Sequence, residues 1–160
     1  MMFQHCALFS SLTNLENVIF PLQQHTKLPL DILTDLAVIK LRMVGLQEDA
    51  FDKYPSEISG GMLKRVALAR TIVLDPKVIF LDEPNAGLDP HSAREIDELI
   101  LYLKDELEMS VVMITHDLTT IWNIVDDIIY MDEKKIMLHD TVKFVSEQTQ
   151  YESIKHFFNS

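Results

Sequence analysis

Two short apolar runs, each ending on polar side chains, constrain the fold of this 160-residue chain more than any other feature. VIFLD spans residues 78–82 and SVVMI spans residues 110–114, and the segment between them has the apolar spacing of a helix. Buried parallel strands are rich in Val, Ile and Leu, and a strand–helix–strand order indicates a parallel sheet with crossover helices. The sequence therefore predicts an α/β fold built on a parallel sheet.

The first third of the chain predicts helices. Thr13 and Glu16 fit a capping box, so a helix should begin near Asn14. We expect the chain to be interrupted at Pro21 and Pro29, because proline removes a backbone donor. A surface helix is predicted over residues 32–44, closed by a glycine.

The segment ISGGMLKRVALARTIVL, residues 58–74, predicts an amphipathic helix that stops before the Asp-Pro pair at 75–76. Its apolar residues recur every three to four positions, at Met62, Val66, Ala69 and Val73. Its cationic side chains are expected on the other faces: Lys64, Arg65 and Arg70.

The last third predicts smaller elements. Asp89 can cap a helix that has Pro90 at its first position, and another helix follows the second strand. IIYMDEKKIMLHD predicts two strands around the turn at residues 132–134, and residues 141–160 predict one or two short helices.

Composition excludes several function classes. Twenty-five acidic against fourteen basic residues give a net charge of −11, which argues against nucleic acid as a partner. The single Cys6 cannot form an internal disulfide and suits a reducing compartment. No apolar run reaches the roughly 18 residues that span a bilayer, so we expect no direct membrane insertion. The six histidines lack the spacing of a zinc site.

Asp82 and Glu83 end the first strand, at the edge of the sheet where ligands of open α/β folds bind. This position suggests metal and water chemistry, although such acids can also simply solvate a loop. His116, two residues beyond the second strand, has the same two interpretations: a functional imidazole, or one satisfied within a turn.

The Ser-Gly-Gly sequence at 59–61 also has two interpretations. Glycines directly before a basic helix leave backbone N–H groups open at its positive end, which is an anion site in outline. Alternatively, Ser59 caps the helix and Gly60 and Gly61 permit a tight turn. We expect Gly87, in the turn before Asp89, to adopt a positive φ angle.

Several motifs together resemble those of a known family. ISGGM at 58–62, VIFLDEP at 78–84, AGLDP at 86–90 and THD at 115–117 are similar, in order and spacing, to the signature, Walker B, D-loop and H-loop of ABC-transporter ATPases. MFQHCALF at the start resembles the Q-loop. The region ALFSSLTNLENVIFPLQQHTKLP and the methionine that closes the signature are similar to the ATPases of Mla/Mce-type lipid transporters.

The resemblance implies a role for each candidate residue. Asp82 and Gln4 would bind Mg²⁺, Glu83 would polarise the attacking water, and His116 would contact the γ-phosphate of ATP. Ser59, Gly60 and Gly61 would bind the γ-phosphate of ATP held by an opposite subunit, with Asp89 across the interface. The implied cofactors are ATP and Mg²⁺.

The resemblance also implies partners and a location. A second ATPase subunit would complete a dimer, and a membrane permease would hold the chain on the cytoplasmic face of a bacterial inner membrane. The implied fold is a partial P-loop NTPase core, RecA-like, with an inserted helical subdomain. Its expected divisions are a helical subdomain over about 5–58, the C-terminal part of the core over about 59–140, and a helical tail over about 141–160.

The sequence contains no G-x-x-x-x-G-K-[ST] loop, the element that cradles the β- and γ-phosphates of a bound nucleotide. In the family this loop precedes the Q-loop, so we expect an N-terminally truncated ATPase domain, inactive as this isolated polypeptide. Two alternatives stay open. The chain is a non-hydrolytic interaction subunit that lends its signature loop to a complete partner, or it is an inert gene fragment.

Overall fold

The computed structural model describes residues 1–132, 134–147 and 151–158, and the chain separates into two compact units, 1–115 and 116–160. The first unit holds four helices and two strands. The helices are α1 (Asn14–His25), α2 (Leu30–Met43), α3 (Gly60–Ile72) and α4 (Pro90–Glu106), and the strands are β1 (Val78–Asp82) and β2 (Ser110–Ile114). Two short 3₁₀ turns, Glu48–Ala50 and Pro55–Glu57, connect α2 to α3.

The sheet of the first unit confirms the α/β prediction. β1 and β2 pair in parallel, with Val78 opposite Ser110 and Asp82 opposite Ile114. Near the N-terminus, Met2 forms a parallel bridge to Leu81 on β1. The bridge consists of two hydrogen bonds, from the Met2 amide to the Phe80 carbonyl (2.8 Å) and from the Asp82 amide to the Met2 carbonyl (2.9 Å).

The two faces of this sheet differ in burial. Ile79 and Leu81 are 2% and 1% exposed, whereas Phe80, on the opposite face, is 51% exposed. The parallel register places Val112 and Ile114 of β2 on the same face as Phe80, and both are also exposed. One apolar face of the sheet is therefore buried, and the other is exposed to solvent.

The helix α3 is buried more completely than the sequence suggests. Its residues 66–69 are consecutive and all fully buried, and it contacts α1, α2 and α4. The predicted amphipathic helix with Lys64 on an outer face is therefore wrong, because helices pack against several sides of α3. Lys64 is only 5% exposed.

The helix α1 begins at Asn14 with the predicted capping box between Thr13 and Glu16. The expected interruption at Pro21 is wrong, because this residue lies inside α1. Apolar burial along α1 offsets the hydrogen bond that proline cannot make, since Val18 and Leu22 are nearly inaccessible to solvent. Pro29 does mark a boundary, as the residue that precedes α2.

The described residues of the second unit form a β-hairpin and three short helices. The helices are α5 (Leu118–Ile124), α6 (Val142–Ser146) and α7 (Glu152–Phe158), and the antiparallel strands are β3 (Asp127–Asp132) and β4 (Lys135–Thr141). These confirm the predicted hairpin and terminal helices, although Glu133 of the predicted turn and residues 148–150 and 159–160 of the tail lie outside the described residues. The predicted divisions near 58 and 140 remain predictions. Among the described residues, no helix combines the length and apolarity needed to cross a membrane.

The side chain of Asn17 holds the loop before α1, and its removal should therefore lower the stability of the fold. It is fully buried, and its side chain accepts from the Phe9 amide (2.8 Å) and donates to three main-chain carbonyls. We expect Asn17→Ala to lower the free energy of unfolding by about 1–3 kcal/mol, because buried backbone groups lose their partners. Urea denaturation measures this loss, and Gln24→Ala, at an exposed position of the same helix, serves as the control. Equal effects of the two substitutions would contradict the role of Asn17.

Candidate functional site

A cleft of about 310 Å³ lies between the start of α3 and the turn that precedes α4. It brings together two motifs that are far apart in the sequence, the Ser-Gly-Gly segment and the turn that contains Asp89. Its lining residues are Ser59, Gly60, Gly61, Met62, Arg65, Gly87, Leu88, Asp89, Ser92 and Glu95. The structure therefore places the candidate residues 59–61 and 89 around one cavity.

The first turn of α3 leaves backbone donors open toward this cleft. Ser59 is the N-cap, and its Oγ accepts a hydrogen bond from the Met62 amide at 3.3 Å. For the N–H groups of Gly60 and Gly61, the structure gives no acceptor among the residues that it describes. Capping by Ser59 and an open, positively polarised helix end thus coexist.

The three glycines of the cleft are subject to different constraints on packing and backbone conformation. A side chain at Gly60 would meet Leu88 at 3.4 Å, whereas a Cβ at Gly61 would have no atom within 4 Å. Gly87 has φ +81°, as the sequence predicts, so its conformation itself favours glycine. Packing within this chain does not explain Gly61, which leaves room at a helix N-terminus for an external group.

Asp89 caps α4 and is held in a fixed orientation. Its Oδ1 accepts from the amides of His91 (3.0 Å) and Ser92 (3.1 Å), and its Oδ2 accepts from the Ser92 hydroxyl (2.6 Å). The hydroxyl of Ser92, followed by its amide, lowers the pKa of Asp89 below the ordinary value. The stabilisation from this carboxylate is present above its ordinary pKa and is lost as the pH falls through the lowered pKa.

Arg65 joins the two sides of the cleft. Its Nη1 donates to the Val44 carbonyl at 2.7 Å, and its Nη2 pairs with Glu95 of α4 at 3.3 Å. Glu95 also lies 3.8 Å from the His91 imidazole. This cation therefore ties α3 to α4 and to the end of α2.

The strand-end residues occupy a second location in the same unit. Glu83 has φ +48°, a left-handed conformation, and its amide donates to the Ile114 carbonyl of β2 at 2.9 Å. Lys64 of α3 donates from Nζ to the Gln4 carbonyl at 2.8 Å and approaches the Glu83 carbonyl at 3.4 Å. The structure thus places the backbone carbonyls of Gln4 and Glu83 beside the same ammonium group, that of Lys64.

The charge of the buried Lys64 is partly compensated by neighbouring side chains. Burial lowers the pKa of Lys64, while the nearby Cys6 and Glu83 act to raise it. Burial likewise raises the pKa of the Cys6 thiol, which is opposed by Lys64 and Arg70.

Asp82 is half-buried at the end of β1, and no described residue gives its carboxylate a hydrogen bond or an ion pair. Among the described residues, no three His, Cys, Asp or Glu side chains cluster as a metal site. A single strand-end carboxylate such as that of Asp82 is a suitable ligand for Mg²⁺, which binds through one or two carboxylates together with phosphate oxygens and waters. His116 is the first residue of the second unit, just before Asp117, the N-cap of α5, and its role remains a prediction.

Lys64 and Arg65 are the site residues that the sequence analysis did not identify. Both were expected on the faces of an amphipathic helix away from its apolar residues, yet Lys64 is buried and Arg65 is only partly exposed. The signal available in the sequence was the density of apolar residues in MLKRVALARTIVL, which leaves too little polar surface for an exposed helix.

A comparison with protein-family models matches residues 1–86 to the ABC transporter family. This chain belongs to the ABC transporter family. The match contains the signature and Walker B residues of the cassette, and it confirms the resemblance that these motifs predict.

Curated relatives of the cassette include lipid-transport proteins. The chain is 39% identical to "Intermembrane phospholipid transport system ATP-binding protein MlaF" of Haemophilus influenzae, over 88% of this chain and 53% of that protein. The Escherichia coli K12 protein of the same name is also 39% identical, over 89% and 53%. "Probable ribonucleotide transport ATP-binding protein mkl" of Mycobacterium leprae is 37% identical, over 86% and 39%. The chain therefore spans about half the length, or less, of these relatives.

Solved cassettes share the fold. The dimeric structure of the ABC transporter cassette MJ0796 superposes with a TM-score of 0.76, at 30% identity, over 88% of this chain and 61% of that one. A dimeric post-hydrolysis state of MJ0796, bound to ADP and Pi, gives a TM-score of 0.75 with the same identity and coverage. These matches confirm the ATP-binding-cassette fold with its parallel sheet.

The hydrogen bonds of Asp89 generate a prediction about its ionisation. Ser92→Ala removes the closest donor, so we expect the pKa of Asp89 to rise toward its ordinary value while α4 remains folded. Carboxyl ¹³C shifts followed through an NMR pH titration measure this change, and Ser56→Ala, at an exposed position of a 3₁₀ turn, is the control. An unchanged titration in Ser92→Ala would contradict the assignment.

Proposed function

We propose that this chain is the signature-bearing portion of an ABC-transporter ATPase that powers phospholipid transport. The observation that carries the proposal is the cleft that joins Ser59, Gly60 and Gly61 to Asp89, with open amides at the start of α3. The printed names of the MlaF relatives support the lipid substrate.

Glu83 is proposed as the residue that polarises the attacking water. A carboxylate performs this task when it is ionised and within hydrogen-bond reach of the water. Asp82 and Gln4 are proposed to hold Mg²⁺, whose charge would stabilise the transferring phosphoryl group. His116 is proposed to contact the γ-phosphate from the segment that follows β2.

The Ser-Gly-Gly segment is proposed to act on a nucleotide held by another subunit. Open N–H groups and the helix dipole of α3 favour a phosphate, and the space at Gly61 admits one. Asp89, which lines the same cleft, would face the other subunit across this interface. Two solved structures of one relative, MJ0796, are described as dimeric, which supports a dimer of cassettes. We propose that the two cassettes of this dimer are arranged head to tail.

The 160 residues contain no G-x-x-x-x-G-K-[ST] sequence, and we propose that groups outside them bind the β- and γ-phosphates of the nucleotide. We propose a membrane permease as the further partner, with the chain held peripherally on the cytoplasmic side of the inner membrane. A second candidate is an interaction subunit that lends its signature cleft to a complete ATPase. It is favoured by the intact Ser-Gly-Gly segment, which lies beside Asp89 in this cleft although the 160 residues hold no phosphate-binding loop.

The proposed role of Glu83 predicts a large loss of turnover in a completed cassette. When this chain is joined to an N-terminal ABC ATPase segment that contains a G-x-x-x-x-G-K-[ST] loop, we expect Glu83→Gln to lower kcat by about 10²–10⁴-fold and to retain ATP binding. The reason is that an amide preserves the shape but cannot act as a base toward water. Phosphate release and nucleotide titration measure the two quantities, with Glu98→Gln on exposed α4 surface as the control. Turnover near the parental rate would exclude Glu83 as the catalytic residue.

The proposed trans-acting signature predicts a nucleotide-dependent heterodimer. Mixed with MlaF whose own signature is disabled, the chain should associate when Mg-ATP is added, and Gly61→Asp should abolish this association. The new carboxylate would oppose phosphate at the helix end, whereas the open space around Gly61 preserves the fold. Sedimentation measures the complex, and Gln24→Glu adds the same charge at an exposed site as the control. A heterodimer that survives Gly61→Asp would contradict the role of the Ser-Gly-Gly segment.

A further inference from the structure

The first unit contains two buried lysines with different partners. Lys40 is 8% exposed and pairs with the carboxylate of Asp75 at 2.5 Å. Lys64 is 5% exposed, and none of the described ion pairs includes it. Its ammonium group instead faces main-chain carbonyls, those of Gln4 at 2.8 Å and Glu83 at 3.4 Å.

A buried ammonium group is costly, and carbonyl oxygens compensate it best when their geometry is fixed. Here both carbonyls belong to segments that are anchored elsewhere. The Gln4 segment is attached to β1 through Met2, and the Glu83 amide is bonded to Ile114 of β2. The ammonium group of Lys64, which belongs to α3, therefore connects the Gln4 segment to the end of β1.

The backbone of Glu83 shows why such a contact matters. Its positive φ is uncommon for a residue with a side chain and persists only where the surroundings hold it. The approach of Lys64 to the Glu83 carbonyl is one such restraint, and the bond from the Glu83 amide to Ile114 is another. The direction of the Glu83 side chain follows from this backbone conformation.

We propose that Lys64 is a positioning residue that sets the placement of Gln4 relative to Glu83 by binding both backbone carbonyls from α3. Its significance for catalysis rests on the proposed function, which assigns Gln4 to the metal and Glu83 to the water. Because Lys64 lies one turn from Gly60 on the same helix, it also links these two residues to the helix that carries the signature.

The test compares local with global protection of backbone amides in the full 160-residue chain. Lys64→Met keeps most of the side-chain volume but removes the donors, and Lys64→Arg restores a cation with donors. Lys40→Met is the matched control, because it removes a similarly buried ammonium group whose partner is Asp75. Hydrogen exchange is followed by NMR at Asp82, whose amide bonds to Met2, and at Leu68 in the interior of α3.

We expect Lys64→Met to accelerate exchange at Asp82 on the order of tenfold more than at Leu68, as the Gln4 segment detaches from the strand end. Lys64→Arg should recover most of the protection at Asp82. Lys40→Met should change both amides by the same factor. If Lys64→Met also changed both amides equally, Lys64 would contribute only to global stability and the proposal would be overturned.

A measurement on the unsubstituted chain covers the case in which Lys64→Met does not fold. Scalar couplings across hydrogen bonds, from Lys64 Nζ to the carbonyl carbons of Gln4 and Glu83, report the contacts directly. Couplings to both carbons support the proposal, and the absence of either one overturns it. Neither experiment uses nucleotide, so its failure is distinguishable from failure of the proposed ATPase function, which the Glu83→Gln turnover measurement tests.

Discussion

Burial of α3 on several sides, with its first turn left open, is the constraint on which the first unit depends. Contacts with α1, α2 and α4 fix the axis of this helix, so its N-terminus stays beside the turn at Gly87. A helix that packed along only one stripe could rotate about that stripe. Here rotation would expose apolar residues on another side, and the direction of the open amides at Gly60 and Gly61 is therefore determined by the core.

The cationic side chains of α3 hold neighbouring segments in place relative to this helix. Arg65 binds the end of α2 and a carboxylate of α4, and Lys64 binds the segments of Gln4 and Glu83. Helix caps contribute in the same way, because Ser59 and Asp89 each hold the turn that enters a helix. Loops that carry candidate functional residues are thus attached to a rigid element through charged or capped ends.

The sequence predicted the parts of the fold that local chemistry determines. The capping box at Thr13, the cap at Asp89 and the positive φ of Gly87 each depend on a few neighbouring residues, and the structure confirms all three. The α/β class and its parallel sheet were predictable from VIFLD, SVVMI and the helix between them, because a strand–helix–strand order indicates a parallel sheet. The burial of both runs was not predictable, since one face of the sheet is exposed.

The errors arose where tertiary packing overrides local preference. Proline disfavours a helix interior, yet α1 continues through Pro21 because its other residues are buried against neighbouring helices. Lysine favours solvent, yet Lys64 is buried because two carbonyls from distant segments receive its donors. The cleft between residues 59–62 and 87–95 joins segments whose proximity no spacing rule reveals.

The uncovered face of the sheet has a consequence for the behaviour of the chain in solution. Phe80, Val112 and Ile114 present apolar surface to water, which favours contact between molecules, while a net charge of −11 opposes their approach. Only the second of these forces depends strongly on salt, since the screening length shrinks from about 10 Å at 0.1 M to about 3 Å at 1 M ionic strength. The colloidal stability of the polypeptide is therefore an electrostatic property, greatest in dilute buffer and weakest where salt shields the acidic surface.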